Sequence, residues 1–195
     1  HWIINRTSSA AENLAQVREA VELNRRLSGP WLRITGIKIL VDGVIDSCTA
    51  AMKEPYADGS HPGPIWDLEA LAPVVAAADA AGLQVAMHAI GDEASDIALS
   101  ALEHAIEVNG PRDRRHRIEH LETVTEANVA RLARLGVVAS MQPVHADPAI
   151  ADNWRAMLGD HRADRGFPWP EFTSAGATLA FGSDAPTAPY PPLPN

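Results

Sequence analysis

Two spacings of apolar residues alternate along the chain. From Ser9 to Leu27 they recur at helical intervals, at Leu14, Val17, Ala20, Val21 and Leu23, and Ser28-Gly29-Pro30 closes the run. Trp31 to Val44 switches to a strand-like pattern, Leu32-Arg33-Ile34-Thr35-Gly36-Ile37-Lys38-Ile39-Leu40-Val41, closed by Asp42-Gly43. The segment Asp46 to Pro64 is rich in Pro and Gly, too long for a simple connector, and reads as a functional loop. An Ala- and Leu-rich helix is predicted from an Asp67 N-cap to Ala81, with Gly82 as its stop. A strand follows, Gln84-Val85-Ala86-Met87-His88-Ala89, and then a helix from Asp92 to about Val108.

The alternation continues to the end of the chain. Arg114 to Leu121 is a short strand, Thr125 caps a helix to about Leu135, and Val137 to Met141 is another strand. Short helical pieces are expected around Ala149 to Leu158 and Pro170 to Ala175, before a last strand from Ala177 to Phe181. Strand-then-helix repeated through five strands predicts βα units in a parallel sheet. A closed barrel takes eight such units and about 250 residues. Five units therefore predict part of a barrel, with an open doubly wound sheet as the other architecture that fits.

The predicted strands share a chemical feature at their carboxyl ends, where Lys38, His88, His120 and Asp184 fall. In a parallel barrel those ends converge on one face. Two imidazoles and a carboxylate are metal ligands by type, and a metal can supply hydroxide at neutral pH by lowering the pKa of its water to about 7. Lys38 fits only if neutral or modified, because an ammonium repels a cation. Alternation places Ala86 on the face of His88 and Gly36 on that of Lys38, small residues that suit a crowded interior. His120 shares its face with Ile118 and His116, which fits less well. Each group alone also has a structural reading, a hydrogen-bonded histidine, a turn aspartate or an edge lysine; the joint pattern points to a site.

His145, after Met141-Gln142-Pro143-Val144, is a candidate substrate contact. His61 reads as loop polarity, His104 and His161 as surface positions, and His1 as part of a frayed end. Cys48 has no activating base beside it, Ser183 is not in a Gly-x-Ser-x-Gly elbow, and no Gly-rich phosphate loop is present.

Composition narrows the class. The chain has 195 residues, 46% hydrophobic, a formal charge of −9 and a pI near 5.3, a balance that disfavours nucleic acid and anionic membrane surfaces as partners. A single cysteine excludes a disulfide framework and suits a reducing compartment, so a cytoplasmic location is expected. The first residue is not Met and the last ten residues stop in a proline-rich stretch, so a fragment of a longer protein is expected.

Taken in order, Ile37-Lys38-Ile39-Leu40-Val41-Asp42-Gly43, His88-Ala89-Ile90-Gly91-Asp92, His116-Arg117-Ile118-Glu119-His120, Ser140-Met141-Gln142-Pro143 and Gly182-Ser183-Asp184-Ala185-Pro186 resemble the amidohydrolase superfamily. The nearest branch is the amidohydrolase-3 group, with N-substituted formamide deformylase and YtcJ-like proteins. The resemblance runs from about Trp31 onward. It implies an α/β fold, a partial (β/α)8 TIM barrel of the metal-dependent hydrolase type, covering roughly strands four to eight. Residues 1–195 would be a single-domain, C-terminal part of that barrel, with the first strands and the β-sandwich missing.

By position, the resemblance implies that Lys38 is the fourth-strand lysine, often carboxylated between two metals. His88 and His120 would be metal ligands, and Asp184 both a ligand and the proton shuttle. One or two divalent ions, most often zinc, are implied. The family's first-strand His-x-His pair has no counterpart here. The expected activity is metal-dependent hydrolysis of a C–N bond in a small amide or formamide, metal-bound hydroxide attacking the carbonyl while Asp184 carries the proton to the amine. His145 and the Asp46 to Pro64 loop would shape the substrate pocket. The alternative is a catalytically incomplete barrel piece acting as a folding or association unit, with open sheet edges favouring a homo-oligomer.

Overall fold

The computed structural model describes residues 1–187; the proline-rich stretch beyond Thr187 lies outside them. Six parallel strands form one sheet: β1 (Trp2–Ile4), β2 (Gly36–Leu40), β3 (Gln84–Ala89), β4 (Arg117–His120), β5 (Val138–Met141) and β6 (Leu179–Phe181). Their spatial order is their sequence order. A doubly wound sheet reverses direction at a switch point, so an order that only advances is that of a barrel wall, and the doubly wound alternative falls away.

Helices α1 (Ala10–Arg26), α2 (Leu68–Ala80), α3 (Asp92–Asn109) and α4 (Glu126–Arg134) provide the successive crossovers. Ser9, Asp67 and Thr125 cap α1, α2 and α4 by accepting from the backbone N–H three residues on, at 3.3, 2.8 and 3.3 Å. Three short helices, α5 (Ala151–Leu158), α6 (Asp160–Ala163) and α7 (Trp169–Ser174), fill the long passage from β5 to β6. Among the described residues no helix is long and apolar enough to cross a membrane.

One side of the sheet makes the core. Ile37, Ile39, Val85, Met87, Ile118, Ala139 and Met141 bury their side chains against Leu71, Val74, Val75, Leu99, Leu102 and Leu132 of the helices. A smaller cluster, Ile45, Ala50, Met52, Tyr56, Ile90, Trp154 and Leu158, ties the segment after β2 to α5 at the carboxyl end of the sheet. The Asp46 to Pro64 stretch is thus packed: Tyr56 Oη donates to Ala50 O at 3.0 Å, and Arg162 donates to the carbonyls of Glu54 and Pro55.

Three expectations are corrected. There are six strands rather than five, because Trp2–Ile4 pairs with β2 through Trp2↔Ile37, Ile3↔Lys38 and Ile4↔Ile39; three residues are too few to show a period. His1 is not simply frayed, since its Nε2 meets Gln84 Oε1 at 2.9 Å. The strand expected from Trp31 begins only at Gly36, and Trp31 is 97% exposed.

Candidate functional site

The other side of the sheet carries the chemistry. In the parallel register Leu40, His88, Glu119, Ser140 and Ala180 lie side by side across five strands, and Lys38 pairs with Ala86 one step below them. Parallel neighbours in register face the same way, so Lys38, His88 and Glu119 project to the barrel's inner side, away from the helices.

His88 is held from behind. Its Nε2 lies 2.9 Å from Gly43 O and 3.5 Å from Asp42 Oδ1. A carbonyl can only accept, so Nε2 carries the proton and Nδ1 keeps the lone pair. Asp42 was expected only to close a strand. Its buried carboxylate accepts from the backbone N–H groups of Ala51, Ile90 and Gly91 at 3.0, 3.1 and 2.8 Å, locking the end of β3 to the loop after β2. Gly91 is needed there for close approach, since a Cβ would lie 1.9 Å from Ala51 O.

His120 reaches the site by a turn. Strict alternation would send it outward with Ile118, but its φ of +78° and the +54° of Leu121 end the strand in left-handed backbone. Its ring then sits 4.4 Å from that of His88, edge to face, and 5.4 Å from that of His145, stacked at 8°. The poor facial match in the sequence is explained by these two residues. His120 Nδ1 is buried without a hydrogen-bond partner.

His145 lies in the 3₁₀ turn Pro143–Ala146. Its Nδ1 is 3.1 Å from Glu122 Oε1 and its Nε2 is 3.9 Å from Asp184 Oδ2. Asp184 follows β6 with φ +55° and faces the same space. Around it is a cavity of about 370 Å³ lined by His88, His120, Glu122, His145, Asp184 and Asp46, with Val44, Ile45, Ile90, Val144 and Ile150 as apolar walls. Four of the five expected residues, His88, His120, His145 and Asp184, therefore line one cavity. Lys38 lies below it, within the field of Glu119 and Asp184.

Burial sets the charge states. It lowers the Lys38 ammonium, against the pull of Glu119 and Asp184, and lowers His88 against the Gly43 hydrogen bond. Burial, followed by the repulsion of His88 and Lys38, drives His120 down to about 2, leaving a neutral imidazole. Glu122 is raised by burial although His145 opposes the rise, and His145 is raised chiefly by its hydrogen bond to Glu122. Neutral imidazoles beside carboxylates, one ring nitrogen having no protein partner, are a donor set that fits a divalent cation.

Glu122, Glu119 and Asp42 had no place in the sequence-derived site. Glu122 stands two residues past His120, where the pattern reads as a connection, and only its spacing from a candidate ligand could have flagged it. His61, expected to be loop polarity, bonds Met52 O through Nε2 at 2.7 Å. His104 and His161 are exposed, as expected, and Cys48 is half-buried with φ +51°.

Comparison with known proteins identifies the family and the fold. LONG AFTER FAR-RED 3 of Arabidopsis thaliana is 39% identical over 166 residues, covering 84% of this chain and 28% of its own length. YtcJ of Bacillus subtilis is 35% identical over 173 residues, covering 86% and 31%. The chain thus spans about a third of the length of these relatives. Among solved structures, an uncharacterized metal-dependent hydrolase from Pyrococcus furiosus aligns with TM-score 0.72 and 28% identity, over 97% of this chain and 42% of that one. The partial barrel inferred from the strand order is therefore a portion of a known fold. The amidohydrolase family matches residues 2–195, and the chain belongs to that family.

Proposed function

We propose that the protein hydrolyses a C–N bond in a small amide or formamide, using a divalent cation at the carboxyl end of the sheet. The observation that supports this reading is the convergence of His88, His120, His145 and Asp184 on one cavity, with a buried His120 Nδ1 that no protein group satisfies. His88, His120 and Asp184 are the proposed cation ligands, joined by Lys38 in a neutral or carboxylated form. Zinc is the proposed ion, since it accepts nitrogen and oxygen donors together. When bound, such an ion supplies Lewis acidity and a water of lowered pKa.

The chain's own groups do the remaining work. Asp184, 41% exposed at the cavity edge, takes the proton of the attacking water and returns it to the departing amine nitrogen. Asp42 and the Gly43 carbonyl hold the His88 ring with Nδ1 free. Val44, Ile45, Ile90, Val144 and Ile150 receive the apolar substituent of the substrate, and His145 contacts its polar end. No Lys or Arg lines the cavity among the described residues, whereas Asp46, Glu122 and Asp184 do. An uncharged amide is therefore favoured over one bearing a carboxylate. Cytoplasmic residence belongs to the same proposal.

Asp184→Asn in the protein tests it. Turnover of an N-substituted formamide should fall by about 10²- to 10⁴-fold, the usual contribution of a positioned proton carrier, without loss of all bound metal. Unchanged turnover would sink the reading.

A further inference from the structure

We infer that His120, Glu122 and His145 form a cation-binding position of their own, sharing only His120 with the centre proposed from Lys38, His88, His120 and Asp184. One ligand atom from each of the three lies within 4.8 Å of the others. Two imidazoles and one carboxylate are the donor types of catalytic zinc sites that keep a coordination place open, and a cation entering here would displace the proton that His145 shares with Glu122. Glu122 and His120 are 6% and 5% exposed, so the donors are fixed by packing rather than recruited from solvent.

Three features favour this position. His120 Nδ1 is buried with no hydrogen bond to any protein group. Glu122 has its His145 contact as its side-chain hydrogen bond, and the long Glu side chain can close the gap to a ligand spacing of about 3.4 Å by small torsions. Asp184 Oδ2 lies 3.9 Å from His145 Nε2, too far for a hydrogen bond but near enough to add negative charge beside the position. No lysine has to be modified for the set to carry a compatible charge. The local arrangement comes from β4 and the Pro143–Ala146 turn, so it needs no residue from beyond these 195.

The inference deepens the hydrolase reading and rests on it for any catalytic meaning, but its test is a binding measurement. Zn²⁺ affinity and stoichiometry are measured by calorimetry and elemental analysis for the protein and for Glu122→Gln, His145→Gln and Lys38→Met, with Co²⁺ visible absorption reporting the donor set. Loss of an outer-sphere partner alone weakens metal binding about 10- to 100-fold. Glu122→Gln and His145→Gln should each lose at least that much and alter the Co²⁺ spectrum, while Lys38→Met retains this affinity. His145, whose side chain is 21% exposed against 8% for Glu122, serves as the second variant should Glu122→Gln fail to fold. Full affinity in both variants, or no Zn²⁺ bound by the protein, overturns the site. Full affinity in both together with a loss in Lys38→Met would do so while leaving the hydrolase reading intact. Turnover that ignores Asp184→Asn would remove the hydrolase reading and leave the site standing on binding alone.

Discussion

Asp42 shows how much of the site depends on a residue that touches no substrate. Burial pushes its carboxyl up to about 7, even though three backbone hydrogen bonds pull it down. A carboxylate this deep is tolerated because it organises three N–H groups that would otherwise be buried without acceptors. Each such orphan costs about 1–3 kcal/mol. Asp42→Ala should therefore lose about 3 kcal/mol or more of stability in a urea titration, and Asp42→Asn, which keeps one acceptor oxygen, should lose less. Loss of the His88 anchor should also lower metal affinity in Asp42→Ala before the protein unfolds. Equal midpoints for wild type and Asp42→Ala would refute the account. In the sequence, Asp42-Gly43 is an ordinary turn signal, and nothing local distinguishes a turn aspartate from a hub whose partners lie up to 49 residues away.

At the level of elements, the opposite end of the sheet carries a lock between α2 and β4. Asp79 of α2 accepts from Arg114 Nε and Nη2 at 2.8 and 3.0 Å, from Asn109 Nδ2 at 2.8 Å and from His116 Nε2 at 2.9 Å. His116 Nδ1 in turn accepts from Val85 N of β3, which fixes Nε2 as the donor. Burial would raise the Asp79 carboxyl, but the Arg114, Asn109 and His116 hydrogen bonds outweigh it and bring it to about 2. Burial lowers His116 despite the bond to Asp79. Both groups release protons more readily when folded than when unfolded, so both lose stability to acid. The His116 contribution should fade as pH falls below about 6.5, and the Asp79 contribution between about 4 and 2. Asp79→Ala should cost about 3–5 kcal/mol at neutral pH, because it leaves the Arg114 charge unpaired, and should flatten the steep acid limb in denaturation curves recorded across pH. An acid limb identical to wild type would contradict this. Most elements were legible beforehand, because α1 to α4 carry clean apolar spacing with Ser9, Asp67 and Thr125 as caps. β1 was not, since Trp2–Ile4 is identified only by its pairing with β2. The lock itself was invisible, because Asp79 sits in an apolar helix 37 residues from His116.

For the whole molecule, sheet order decides what chain order could only suggest. Successive βα units are readable from Gly82, Gly110 and Gly136 stops and the strand runs that follow; closure is not, because it depends on how strand edges meet. Among the described residues β1 and β6 each pair on one side only. The inner face, which a closed barrel would enclose, leaves Ile3 53% and Leu40 40% exposed, and Phe181 on the helix-facing side of β6 is 46% exposed. Unpaired parallel edges bordered by apolar side chains are templates for pairing with another chain. The alternative in which the chain serves as an association unit draws its support from these edges, and it can be checked apart from catalysis. The isolated 195-residue chain, of 20.9 kDa, should show a mass in light scattering that rises with protein concentration. Ile3→Lys combined with Leu40→Lys should shift that equilibrium toward the monomer by placing charge on the β1 edge and the open inner face. Neither side chain contributes to the helix-packed core, so cooperative unfolding should persist in the double variant. A strictly monomeric wild type over the whole concentration range would show instead that the open wall is stable in water, and that its exposed inner residues do not drive assembly.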